Sequence, residues 1–258
     1  MKNIVVHLDK NDGEAKAKEY FMDICGLYRR KDISPRLLEE SLTTLEDIYE
    51  HIDINAIFSR YDWNCIKGDK LILDNVTFTC PIISTIPSQD ILEIIIYLLT
   101  IGDIKPTNER VLYQVYQDMW QTAFVDVARD LLQEHITKTI SYETFAISDT
   151  FGPGFFGMPG SDTLKFFEVL EADKIGATIR PGGLMIPVKS YAGFFLVTNK
   201  QESLSAKDCD NCLSSKKTCS YCKSGRQMGA ALEMELMKCD PYKRRNILRR
   251  LLHSMRKK

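Results

Sequence analysis

The sequence predicts an α+β domain over residues 1–200, followed by a small cysteine-rich module over 201–258. Three observations carry this. Runs rich in β-branched residues (KNIVVHL at 2–8, EIIIYLL at 93–99, SYAGFFLV at 190–197) are interspersed with segments of helical composition. One long helical pattern runs from Pro106 to about Ile136. From Ser203 the composition turns polar, then cysteine-rich, then basic.

The elements follow in order. After the strand at 2–8, mixed apolar and charged stretches predict helices over 13–30 and 35–51. KLIL (70–73) and VTFTC (76–80), separated by Asp74-Asn75, predict paired strands. The strand over 93–99 runs towards Gly102. On the long helix, Leu112, Val115, Met119, Ala123, Val127 and Leu131 recur every three or four residues, which assigns that face to the core. A strand over 141–148, a Gly/Pro-rich turn at 151–160 and a helix over 162–173 come next. ATI (177–179), LMIP (184–187) and SYAGFFLV (190–197) are the closing strands.

A chain of 258 residues with 44% hydrophobic and 27% charged residues is long enough to bury a core. Its net charge of −1 provides no global field for nucleic acid or anionic membrane. The apolar run Ile91–Ile101 contains Glu93 and is about half the length a bilayer span needs. The opening MKNIVVHLDK has too short an apolar run for a signal peptide, so a cytoplasmic protein is expected, with thiols or metal ligands rather than disulfides.

The segment FGPGFFGMPG (151–160) holds four glycines and two prolines among Phe151, Phe155, Phe156 and Met158. Glycine lets a backbone approach a ligand closely, and proline presets the path. Aromatic rings there can cover a flat ligand. The same composition also suits a tight strand-to-helix connection whose rings plug the core. Both readings stand at this point.

The longer string SDTFGPGFFGMPGSDTLKFFEVLEADKIGATI, followed by LMIPVKSYAGFFLV, resembles the S-adenosylmethionine-binding activation domain of cobalamin-dependent methionine synthase, including its free-standing bacterial versions. Pro153-Gly154-Phe155 occupies the family's P-G-Y turn. Leu170 to Gly176 occupies the helix end that follows, and Met185-Ile186-Pro187, with Ser190 and Gly193, its M-x-P-x-x-S-V-S-G. IIIYLLTIG (94–102) and the helix after it are similar to the family's strand ending T-x-G. The resemblance covers about 90–198.

That resemblance implies a mixed, largely antiparallel sheet flanked by helices. It also implies a role in reductive reactivation, the remethylation of cob(II)alamin with S-adenosylmethionine. The cobalamin would come from a partner corrinoid-binding protein or methyltransferase, and the electron from a donor. Gly152, Pro153 and Gly154 would line the S-adenosylmethionine site, with Phe155 and Phe156 facing the corrin. Three places depart from the family. Thr150 stands where an arginine grips the methionine carboxylate, and Phe155 replaces the tyrosine. Arg180-Pro181-Gly182 stands where the family commonly has T-E-S, and Arg180 could supply the missing charge from a neighbouring strand. A chain with this fold that has lost the chemistry would be a corrinoid-protein adaptor or chaperone.

Cys209-x2-Cys212-x6-Cys219-x2-Cys222 places four thiols within 14 residues. Paired C-x2-C turns let two thiolates chelate one metal, so these four are the candidate metal ligands. Four thiolates suit zinc or an iron–sulfur cluster alike, and a thiol–disulfide redox pair is a further reading. Cys25, Cys65, Cys80 and Cys239 sit singly and suit small core positions. From Cys239 to Lys258 there are eight Lys or Arg against one acid. In KRRNILRRLLHSMRKK the apolar residues Ile247, Leu248, Leu251, Leu252 and Met255 fall on one helical stripe. It is read as a packed terminal helix, as a dock for an acidic partner, or, with the cysteines, as a nucleic-acid-binding appendage that the near-neutral net charge disfavours.

Overall fold

The computed structural model of the chain describes residues 1–25, 35–106, 108–155 and 157–199. The four-cysteine segment, Cys239 and the basic C-terminal stretch lie outside the described residues, as does Phe156. The described residues form the α+β arrangement expected from the sequence. The strands are β1 (Ile4–Leu8), β2 (Ile54–Asp62), β3 (Ile66–Lys67), β4 (Lys70–Leu73), β5 (Val76–Thr79), β6 (Ile91–Thr100), β7 (Ala146–Ile147), β8 (Thr178–Ile179), β9 (Met185–Ile186) and β10 (Ser190–Thr198). The helices are α1 (Glu14–Ile24), α2 (Pro35–Tyr49), α3 (Val111–Thr137) and α4 (Thr163–Val169).

The main sheet runs β1-β2-β6-β10-β7. Each of its pairings is antiparallel, so the largely antiparallel sheet is found and no parallel pair accompanies it among the described residues. The hairpin β3-β4-β5 and the pair β8-β9 stand apart from it. Strand β6 is central and covered on both faces, which explains its unbroken apolar run. Its alternate residues divide between two cores. Ile95, Tyr97 and Leu99 point to the layer made by α1, α2 and α3, and Ile94, Ile96 and Leu98 to the layer with α4 and the small hairpin sheet. On β10, Phe195 and Val197 join the first core, and Ala192, Phe194 and Leu196 the second.

Several boundaries differ from the sequence reading. Strand β2 falls in a stretch for which the sequence pattern predicts no element. Asn55, Ser59 and Arg60 break its apolar pattern, yet Ser59 is fully buried because its Oγ accepts from the Asn3 N–H at 2.9 Å. Helix α3 begins at Val111, since the Ile104 and Lys105 carbonyls are taken by the Gln117 and Gln121 side chains. Its buried face carries Tyr113, Gln117, Trp120, Phe124, Val127, Leu132 and Ile136. Leu112 and Val115 of the expected stripe are exposed. The selecting contact is Trp120: it stacks on Phe21 at 3.7 Å and donates its indole N–H to the Ser41 carbonyl. The helix expected over 162–173 is split into α4 and a 3-10 turn at Ala172–Ile175, ended by Gly176 at φ 68°. The strand expected over 141–148 shrinks to Ala146–Ile147.

Candidate functional site

The Gly/Pro segment is an extension of the sheet before it is a loop. Ile147 pairs with Val197 and Phe151 with Phe194, so Ser148, Asp149 and Thr150 stand opposite only Phe195 and Leu196. One extra residue makes a bulge, a device that re-aims side chains at a sheet edge. Here it brings Thr150 Oγ1 within 2.5 Å of the Tyr97 hydroxyl. Tyr97 is fully buried and stacks on Phe195 at 4.6 Å. Burial pushes its phenol far above the ordinary tyrosine range, so it stays neutral.

Two glycines permit this crossing. A Cβ at Gly193 would lie 2.7 Å from the Phe151 carbonyl oxygen, 2.7 Å from Thr150 Oγ1 and 3.0 Å from the Tyr97 hydroxyl. A Cβ at Gly152 would lie 2.8 Å from the Ala192 carbonyl oxygen. The loop then closes on itself, with Gly154 N–H donating to Met158 O and Met158 N–H to Phe155 O, both at 2.9 Å.

The aromatic and sulfur side chains divide between the two sequence readings. Phe151 and Met158 are buried in the second core, Phe151 stacked on Phe194 at 5.5 Å. Phe155 is half-buried, Pro153 likewise, and Gly154 is exposed with φ 84°. Arg180 is exposed at the end of β8, in the turn to β9, its N–H donating to the Leu184 carbonyl.

Beside the bulge runs a polar seam between α3 and β10 that periodicity alone did not reveal. Lys189 Nζ reaches Thr122 Oγ1 and Asp118 Oδ1, each at 2.8 Å. The Arg129 guanidinium lies 5.9 Å from the Tyr191 ring centre and pairs with Asp126 and Asp130. Gln133 Nε2 donates to the Ser148 carbonyl at 2.8 Å. Positions 118, 122, 129 and 133 share one face of α3 by helical spacing. Burial alone would favour neutral Arg129, but Asp130 and Asp126 outweigh it and hold the cation. The signal that could have found this seam is the polar set Asp118, Thr122, Asp126, Arg129 and Gln133, which recurs at three- and four-residue spacing along one face of the helix.

Among the described residues, no three His, Cys, Asp or Glu side chains are grouped to hold a metal. Cys80 is buried, and Cys25 and Cys65 are half-buried against the two cores, as their single placement suggested. Burial raises Cys80 to about 12 and the other two to about 11, so all three are neutral thiols at physiological pH. No helix among the described residues is long and apolar enough to cross a membrane.

The chain is similar to the MetH reactivation domain, solved bound to AdoHcy, with a TM-score of 0.48 and 10% sequence identity over 78% of this chain and 80% of that one. No known family profile matches the sequence, and no curated protein sequence does.

Proposed function

We propose that the chain is an accessory protein for reductive reactivation of a corrinoid-dependent methyltransferase such as methionine synthase. The observation that carries this reading is the two-signed polar seam along α3, which meets the bulge ahead of the Gly/Pro loop where Gln133 donates to the Ser148 carbonyl. S-adenosylmethionine has a sulfonium, an ammonium and a carboxylate, so a site for it needs donors and acceptors side by side. Lys189, just before β10, and Arg129 of α3 are the cations, and they pair with the α3 carboxylates Asp118 and Asp126. Gly152, Pro153 and Gly154 line the adjoining backbone, and Phe155 and Phe156 face the corrin of the partner. Further support comes from the sequence string over 148–197.

In this reading the chemistry belongs to the cofactors: a donor's electron reduces cob(II)alamin, and S-adenosylmethionine supplies the methyl group. The protein binds, orients and excludes water. Residues 201–258 form an appended module in which Cys209, Cys212, Cys219 and Cys222 hold zinc or an iron–sulfur cluster.

Calorimetric titration of the full chain with S-adenosylmethionine tests the reading. Saturable binding that is lost on Lys189→Ala supports it. Absence of binding, together with retained affinity for a corrinoid protein, moves the assignment to a non-catalytic adaptor. The engagement of Thr150 by Tyr97, at a position where the family carries arginine, favours that alternative.

A further inference from the structure

The two cations of the seam are both paired within the chain, but not equally. Arg129 is fixed: its Nε and a terminal nitrogen reach Asp130 at 3.2 and 3.0 Å, and Asp130 is held in turn by Lys16 and Tyr20. Lys189 is anchored through its backbone, whose carbonyl accepts from the Ile101 N–H at 3.3 Å and the Thr100 hydroxyl at 3.4 Å. Its side chain is 19% exposed, while that of its partner Asp118 is 71% exposed. Thr122 donates its hydroxyl to the Asp118 carbonyl at 2.8 Å, so towards Lys189 it acts as the acceptor. The ammonium therefore rests on Thr122, and Asp118 adds a counter-charge from a side chain largely in water. A pair of this kind is weak and exchanges, whereas opening the Arg129 pair would strand a charge away from water.

We propose that Asp118 competes with the ligand for Lys189, so that the Lys189–Asp118 pair is an autoinhibitory contact of the free chain. The inference rests on the proposed function, because it takes S-adenosylmethionine as the ligand. It adds which cation meets the methionine carboxylate and what that carboxylate must displace. An ammonium has three N–H donors. Thr122 and Asp118 take two of them, and a carboxylate arriving at the third meets the like charge of Asp118 close by. It either displaces Asp118 or binds against that repulsion. Both lower the affinity for a ligand that bears a carboxylate, and neither acts on a nucleoside that lacks one.

The test is calorimetric titration of the full chain and its Asp118→Asn variant with S-adenosylmethionine, and with 5′-methylthioadenosine as the nucleoside without a carboxylate. Asparagine keeps the shape of the side chain and removes its charge. At a position this exposed, the thermal midpoint should stay nearly unchanged. Asp118→Asn is expected to tighten S-adenosylmethionine binding about three- to fivefold, the range of an exposed ion pair, and to leave 5′-methylthioadenosine unchanged. Adding Lys189→Ala to Asp118→Asn should abolish the gain. Binding by the wild type that Asp118→Asn leaves equal overturns the proposal while the proposed function stands. Weaker binding by Asp118→Asn also overturns it, and means that Asp118 holds the ligand's ammonium instead. Equal tightening of both ligands overturns it as well, because the gain would not pass through the carboxylate. If neither chain binds S-adenosylmethionine, the proposed function fails and the competitor role fails with it.

Discussion

Tyr97 and Thr150, 53 positions apart in sequence, share a hydrogen bond of 2.5 Å between their hydroxyls, and the phenol has no access to water. The two partners differ in what they lose. Tyr97→Phe removes the buried hydroxyl and leaves the half-exposed Thr150 hydroxyl free to find water, a cost of about 1 kcal/mol. Thr150→Val strands a buried phenol and should cost about 1–3 kcal/mol. Denaturant midpoints of the two variants should therefore rank Tyr97→Phe as the milder change. Equal losses would mean that the bond is not what holds the bulge.

The same pair bears on ligand binding. Under the proposed function, an arginine at position 150 would supply a bidentate carboxylate contact of the kind worth about 1.5–3 kcal/mol, or roughly ten- to a hundredfold in affinity. It also breaks the bond to Tyr97. Thr150→Arg is expected to tighten S-adenosylmethionine binding in calorimetry while lowering the thermal midpoint. Unchanged affinity would mean that another cation already meets the carboxylate, and Lys189→Ala would then identify it.

Gly193 and Gly152 are predicted to be sensitive to a single methyl group. In Gly193→Ala the new carbon meets backbone oxygen at 2.7 Å, which no rotamer can relieve. The bulge must shift, with a loss of about 1–3 kcal/mol or more by thermal melting. Gly154→Ala meets nothing within 4 Å, but its φ of 84° is strained for an L side chain, so about 1–2 kcal/mol is expected. A Gly193→Ala chain as stable as the wild type would contradict the described crossing.

Asp130 ties α3 to α1. Its carboxylate accepts from Lys16 at 2.6 Å, Tyr20 at 2.5 Å and Arg129 at 3.0 Å. Burial favours its neutral form, but Arg129, Lys16 and Tyr20 together outweigh that and hold it below the usual carboxylate range. A depressed folded-state value stabilises above the unfolded value of about 4, and the contribution is lost as pH falls through the lower folded value. Asp130→Asn should cost about 2–4 kcal/mol at pH 7 and flatten the loss of stability below about pH 4. Urea midpoints at pH 7, 4 and 3 measure both effects.

Anaerobic purification followed by metal assay and absorption spectroscopy addresses the four-cysteine segment. One metal centre per chain, abolished by Cys209→Ser, is expected. Iron with visible charge-transfer bands assigns a cluster, and colourless protein with one zinc assigns a structural site. Metal-free protein with four titratable thiols would end the metal assignment. Because Cys25, Cys65 and Cys80 are held as neutral thiols, alkylation at pH 8 should mark them slowest.

The sequence by itself determined the fold class, the central strand β6, the hairpin at 70–79 and the placement of β10, because each depends on local periodicity and on turn residues such as Asp74-Asn75, both at positive φ. It also marked 151–160 as unusual. Tertiary structure decided which face of α3 is buried, since Trp120 finds Phe21 and Ser41 only through packing that no local pattern encodes. It likewise decided that β2 is a strand, because the polar residues in it are satisfied by partners distant in the chain, such as Asn3 for Ser59. The role of the Gly/Pro segment divided for the same reason. Local sequence makes close approach possible at Gly152, but what approaches is the Ala192 carbonyl, supplied by a strand forty residues away. Periodicity reports the neighbours of a residue along the chain, and a seam such as Lys189–Thr122 exists only once the sheet and helix have met.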